Sequence, residues 1–233
     1  MKKIPILFKI PYSALKWAAL FFMTYDHILK FLFLVDATNP VLIPGRFALP
    51  LFIFMITWNA AHKDVIIKYL KRLLPFAIIS LVIDLAYYWV IPINILFTFF
   101  LALSMIGLFE RISKIEDKNN RYIFYIYTAV IISVLGHFTE YRIGGIWVIF
   151  FMYKFFKTRS IAYYALCLAI LPFAASSITS AIIVFIFASL LLLAEPIPSK
   201  KRSSFKKTGW MFYAYFPLHK LVLAIILRWM GII

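Results

Sequence analysis

Long apolar runs separated by short polar connections dominate the chain. They predict nine helices: Ala14–Val35, Ile43–Ala60, Ile67–Ile91, Ile93–Ile112, Tyr122–His137, Ile143–Phe156, Ile161–Ala175, Ile178–Ala194 and Thr208–Met230. A helix needs about 20 predominantly apolar residues to cross a hydrocarbon core about 30 Å thick. The longer runs meet that length. The sixth to eighth are short, which leaves room for a re-entrant or bent pair and a count between eight and ten. Pro75 and Pro172 are expected to kink or interrupt their helices, because proline removes a donor and crowds the preceding turn. The longest polar stretches, Glu110–Arg121 and Glu195–Thr208, are too short for a soluble domain. Residues 1–233 therefore read as one all-α, polytopic transmembrane domain with no internal repeat.

Composition makes this pattern decisive. Apolar residues make up 64% of the chain and charged residues 15%, against about 45–50% and 25% in soluble domains. A water-soluble fold of this length could not bury so much apolar surface. No phosphate-cradling G-x-x-x-x-G-K-[ST] occurs, which argues against a nucleotide-driven pump or a kinase. The single cysteine, Cys167, lies within an apolar run, so neither an intrachain disulfide nor a cysteine metal cluster is expected. Met1–Val35 imitates a signal peptide, yet its apolar region is too long, contains Asp26, His27 and Lys30, and lacks a small-residue cleavage site. It reads as a retained first span.

Charge supplies orientation. Of the 25 Lys and Arg, all but Lys30, Arg46, Arg142, Lys220 and Arg228 fall in the N-terminal tail or in alternate connections of a nine-span arrangement. Basic connections stay cytoplasmic. The N-terminus is thus expected inside and the C-terminus outside. The net charge of +16 is accounted for by orientation and attraction to anionic lipid, and no nucleic-acid partner is needed to explain it.

Ionisable residues at membrane depth are costly and mark a functional interior. His27 lies 13 residues past Ala14, about 20 Å along a helix rising 1.5 Å per residue. Met23 and His27 share a face, as do Asp26 and Lys30, by i,i+4 spacing. Asp26 points about 100° away from His27, so Asp84 or Glu140, from other segments, is the better carboxylate to orient that imidazole. Asp26 with Lys30 fits an ion pair near the outer interface, and Arg46 enters the second helix at a similar depth. Asp84 sits near the outer end of the third helix and Asn94 at the outer start of the fourth, while His137, Glu140 and Arg142 cluster in an outer connection. His219 is 11 residues past Thr208, about 16 Å deep, with Tyr215 on its face and Pro217 beside it.

At this point the residues resemble a family. L-K-W-A-A-L-F-F-M-T-Y-D-H-I, G-R-F-A-L-P-L-F-I-F, K-Y-L-K-R-L-L-P-F-A-I-I-S, N-I-L-F-T, E-Y-R-I-G-G-I-W-V-I-F-F-M-Y and F-Y-A-Y-F-P-L-H follow the TraX family in order over most of the chain. The resemblance implies an inner-membrane protein associated with N-terminal acetylation of conjugative pilin, related to membrane acyltransferases that use a helix-borne His and cytoplasmic acyl-CoA. Asp26, His27, Arg46, Tyr69, Arg72, Asn94 and His219 stand at matching motif positions.

The resulting expectation is a membrane acetyl- or acyltransferase with acetyl-CoA as donor and no metal. Lys68, Tyr69 and Arg72 would hold the donor on the cytoplasmic side, the basic pair meeting its phosphates. His27 would act as general base, and Arg46 or His219 would stabilise charge developing on the thioester carbonyl. Asp84, Asn94 and Glu140 would support the acceptor, a peptide N-terminus or a surface glycan, on the outer side. The rival expectation is a non-enzymatic transporter or an assembly partner in secretion or conjugation, since intramembrane Asp and His also build proton relays.

Overall fold

A computed structural model describes residues 5–62, 66–88, 93–170, 178–197 and 211–232. The described residues are overwhelmingly helical. After the short strand β1 (Phe8–Pro11) come α1 (Tyr12–Phe31), a 3-10 turn at Pro40–Leu42, the one-turn α2 (Ile43–Arg46) and α3 (Ala48–His62). Next are α4 (Ile66–Ile83), a π-helical turn at Asp84–Tyr88, α5 (Ile95–Ile112), α6 (Lys118–His137) and α7 (Arg142–Thr158). The chain continues through α8 (Ile161–Ile170), α9 (Ile178–Leu192), the strand β2 (Ala194–Ile197) and α10 (Met211–Trp229).

Each of the nine predicted helices has its counterpart. Pro40–His62 and Ile95–Ile112 are long and apolar enough to cross a membrane, with mean hydropathies of 1.8 and 1.9. Pro75 and Pro217 lie inside α4 and α10, which run through them as helix. The expected break at Pro172, the helix ends at Ile91 and Ala175, the start at Thr208, Lys63 and the basic run Lys200–Lys207 lie outside the described residues.

Two features depart from the sequence expectation. The third helix finishes in a π turn at Asp84 instead of continuing as α-helix. The strands β1 and β2 pair in parallel, Phe8 opposite Ala194 and Pro11 opposite Ile197, which ties the segment before α1 to the segment after α9. Four-residue strands with mixed burial carry almost no period-two signal.

The core is apolar and continuous across the helices. Phe54, Leu103, Met105, Ile106, Ile146, Ile149, Met152 and Phe155 are fully buried where α3, α5 and α7 meet. Helix α5 starts where its amides are satisfied: Asn94 Oδ1 accepts from the Leu96 amide at 3.1 Å and a Glu140 carboxylate oxygen accepts from the Ile95 amide at 3.0 Å. These are two of the orphan donors that any helix start presents. The same connection is held by Ile93, whose amide donates to Phe138 O at 2.9 Å and whose carbonyl accepts from the Glu140 amide at 2.8 Å.

Candidate functional site

A cavity of about 310 Å³ runs along α1 between α3, α4, α5 and α10. One end is lined by Tyr12, Lys16, Asn59, Tyr69, Arg72 and Tyr213, the other by Asp26, His27, Gly45, Arg46, Glu140 and Tyr141. Between them the walls are apolar, with Met23, Leu49, Phe52, Met55, Leu73 and Phe99 among the lining residues. Tyr12 and His27 are fifteen positions apart on one helix, about 22 Å of axial rise. The cavity therefore joins two chemically distinct ends of the bundle.

The Arg72 end is aromatic, polar and basic. Asn59 donates to the Tyr12 hydroxyl and, at 2.9 Å, to Met55 O. The Tyr69 and Tyr213 ring centroids lie 6.4 Å apart, edge to face. The Lys16 ammonium sits 4.9 Å from the Tyr12 ring and 4.6 Å from the Phe212 ring. Of the expected donor-side residues, Tyr69 and Arg72 line this end. Lys68 is exposed and is not part of the lining, because one residue of helix rotates a side chain by about 100°.

The His27 end gathers charge. Lys30 donates to Asp26 Oδ2, the predicted i,i+4 pair. Arg46 approaches Asp26 Oδ1 at 3.8 Å and anchors its other terminal nitrogen on Ala37 O at 2.8 Å. Asp26 is buried, and its Oδ1 and the Nε of Arg46 make no hydrogen bond. Both atoms are enclosed by protein, and between the two side chains the ion pair runs from the terminal nitrogen of Arg46 to Asp26 Oδ1. Unpaired buried polar atoms are expensive, and here the cost is offset only by the ion pairs that Asp26 makes with Lys30 and Arg46.

His27 shares its cavity face with Met23, as the spacing predicts. Its orienting partner is not a carboxylate. His27 Nδ1 lies 2.5 Å from Nε2 of His219, with ring planes within 13° of each other and centroids 4.8 Å apart. The two carboxylates expected for this task are engaged elsewhere: Asp84 accepts from Lys220 at 2.7 Å, and Glu140 caps α5. His219 in turn reaches Tyr215 O through Nδ1 at 2.8 Å, and the Tyr215 hydroxyl meets Thr24 Oγ1 at 2.7 Å, pinning α10 to α1.

The three residues expected on the acceptor side lie in different settings. Glu140 lines the cavity while capping α5. Asn94 is fully buried, spent on its cap and on Ala77 O at 3.2 Å. Asp84 is buried against Lys220 and lies outside the lining. In this structure the polar contacts of both side chains are to the protein itself, and neither lines the cavity. Tyr12, Lys16, Asn59 and Tyr213 also line the cavity, beyond the site residues expected from the sequence. A buried Asn within the apolar stretch F-I-F-M-I-T-W-N-A-A was the available signal.

These features define a helical-bundle protein whose core cavity has a basic, tyrosine-lined end and a histidine-carboxylate-arginine end. The chain belongs to the TraX family, whose model, described as TraX protein, matches residues 12–227. No curated protein and no solved structure matches it.

Proposed function

We propose that this chain is a multi-pass membrane acetyl- or acyltransferase with a conjugation-related, pilin-modifying role, as membership in the TraX family suggests. The observation that carries the reading is a continuous cavity with Arg72 at one end and His27 at the other. Acyl-CoA enters from the basic cytoplasmic end, with Arg72 and Lys16 attracting its phosphates and its thioester arm extended toward His27. A peptide amine or a glycan hydroxyl enters at the His27 end, beside the Asp26–Arg46 pair. The acceptor forms its new bond to the thioester carbonyl carbon as the carbon–sulfur bond breaks. His27 takes the acceptor's proton and returns it to the departing thiolate. Arg46 faces the charge that develops on the carbonyl oxygen.

The bilayer setting is supported by what the helices leave uncovered. On α6, Tyr122, Ile126, Val130 and Val134 form an exposed apolar stripe at i,i+4 spacing, each more than half exposed. The Arg72 end of the cavity coincides with the ends of the helices that carry the basic connections, which supports a cytoplasmic position for it.

The test is transfer from radiolabelled acetyl-CoA to a peptide amine by purified protein. His27→Gln keeps a hydrogen-bonding side chain but cannot take up a proton at neutral pH. It is expected to bind the donor normally and to lose transfer by about 10²-fold or more, within the range of a general base. Normal transfer by a well-folded His27→Gln protein would remove His27 from the chemistry. Wild-type protein that binds no acyl-CoA would favour the transporter or assembly reading.

A further inference from the structure

Within that acyltransfer reading, we propose that His219 is a positioning residue that locks His27 in its Nδ1–H tautomer, leaving the Nε2 lone pair of His27 to accept the proton. A backbone carbonyl can only accept a hydrogen bond, so the 2.8 Å contact between His219 Nδ1 and Tyr215 O requires the hydrogen on Nδ1. A neutral imidazole then has only a lone pair at its other nitrogen. His219 Nε2 is thereby an acceptor, and its partner at 2.5 Å, His27 Nδ1, is the donor. The second nitrogen of His27 is left bare. Among the described residues Nε2 makes no hydrogen bond, and it diverges from Nδ1 on a ring that lines the cavity.

The arrangement is fixed from several directions. Thr24 Oγ1 donates to Leu20 O at 2.8 Å, so the hydroxyl of Tyr215 is the donor in its 2.7 Å contact with Thr24. That bond holds the turn of α10 carrying the carbonyl that orients His219. Tyr215 also stacks on His219, with centroids 5.3 Å apart and planes within 14°. His219 itself is buried and outside the cavity lining. With Nε2 already accepting from His27, it has no N–H to offer a thioester oxygen, and the charge-stabilising role expected of it falls to Arg46 alone. When His27 Nε2 receives a proton, Nδ1–H stays on His219 and the bond between the rings becomes charge-assisted and stronger. No heavy atom needs to move.

The chain has four histidines, so ring-nitrogen NMR of the full-length protein with 15N-labelled histidine can assign each tautomer, with His27→Gln and His219→Gln identifying the signals. The expected result is Nδ1–H at both His27 and His219. Gln at 219 keeps an acceptor oxygen and Leu does not. His219→Gln should leave His27 in the Nδ1–H form and transfer within about threefold of wild type, whereas His219→Leu should give mixed tautomers and a loss of about 10²-fold, the low end of a positioned base. An Nε2–H tautomer at His27 in the wild-type protein overturns the proposal, even if the Leu variant fails to fold. So does equal transfer by the Leu and Gln variants. An Nδ1–H tautomer at His27 in a wild-type protein that transfers nothing sinks the acyltransfer reading and upholds the lock.

Discussion

Gly45 closes the His27 end of the cavity by bringing the one-turn α2 against the backbone of α1. A Cβ at this position would lie 2.5 Å from Asp26 Cβ, 2.8 Å from Asp26 Oδ1 and 3.0 Å from Asp26 Cα. Two of these neighbours are held by the main chain, so relief requires α1 and α2 to separate. Gly45→Ala is expected to cost about 1–3 kcal/mol, as overpacking in a filled core does, and to move the carboxylate that Lys30 and Arg46 hold. Thermal unfolding of the purified variant should show a lowered midpoint, with transfer reduced beyond what the loss of folded protein explains. An unaltered midpoint would mean that the two helices yield without cost. At this scale the sequence disclosed pairs that share a helix. Met23 with His27 and Asp26 with Lys30 follow from spacing alone. Partners supplied by other helices, such as His219 for His27, depend on how far each helix is pushed along its neighbour, which no periodicity encodes.

Helix α10 meets α4 through a buried ion pair. Lys220 donates to Asp84 at 2.7 Å where α4 passes into its π turn, and both residues are less than a tenth exposed. The Lys220 ammonium also lies 4.9 Å from the Phe216 ring. Since His219 precedes Lys220, this pair sets the height of α10 beside α1. Removing one partner strands a buried charge, so Asp84→Ala should destabilise the fold by about 3–5 kcal/mol. Replacing both, as Asp84→Leu with Lys220→Met, should recover most of that loss, because an apolar pair of similar size can substitute for a buried ion pair. Denaturation of the single and double variants tests this, and a double variant as unstable as the single would show that the charges do more than tie the helices. The helices themselves were legible from apolar run length, with ends shifted by a few residues. The π turn was not, because D-L-A-Y-Y has no residue that forces the wider turn. The parallel pairing of β1 with β2 escaped as well, since it joins residues nearly the whole chain apart.

Across the whole molecule, chemistry is sorted by end. Twenty residues of α1 rise about 30 Å, the thickness of the hydrocarbon core. Its start carries Tyr12 and Lys16 beside Arg72 of α4, and its far portion carries Asp26 and His27 beside Arg46 and the α6–α7 connection. Under the proposed acyltransfer, a cavity joining those ends would let a donor and an acceptor from opposite compartments meet without either crossing, provided the basic end faces the cytoplasm. That orientation can be read directly. Ala37 lies in the connection after α1 and Glu116 in the connection before α6, at opposite ends of the bundle, and both are exposed. The native Cys167 is only 2% exposed and should stay silent toward a polar reagent. In intact cells a membrane-impermeant maleimide should label Ala37→Cys and leave Glu116→Cys untouched until the membrane is permeabilised. Labelling of Glu116→Cys alone would invert the bundle and put the Arg72 end outside, where no cytoplasmic acyl-CoA could reach it. Labelling of both would mean that the two ends do not lie on opposite sides of a sealed membrane.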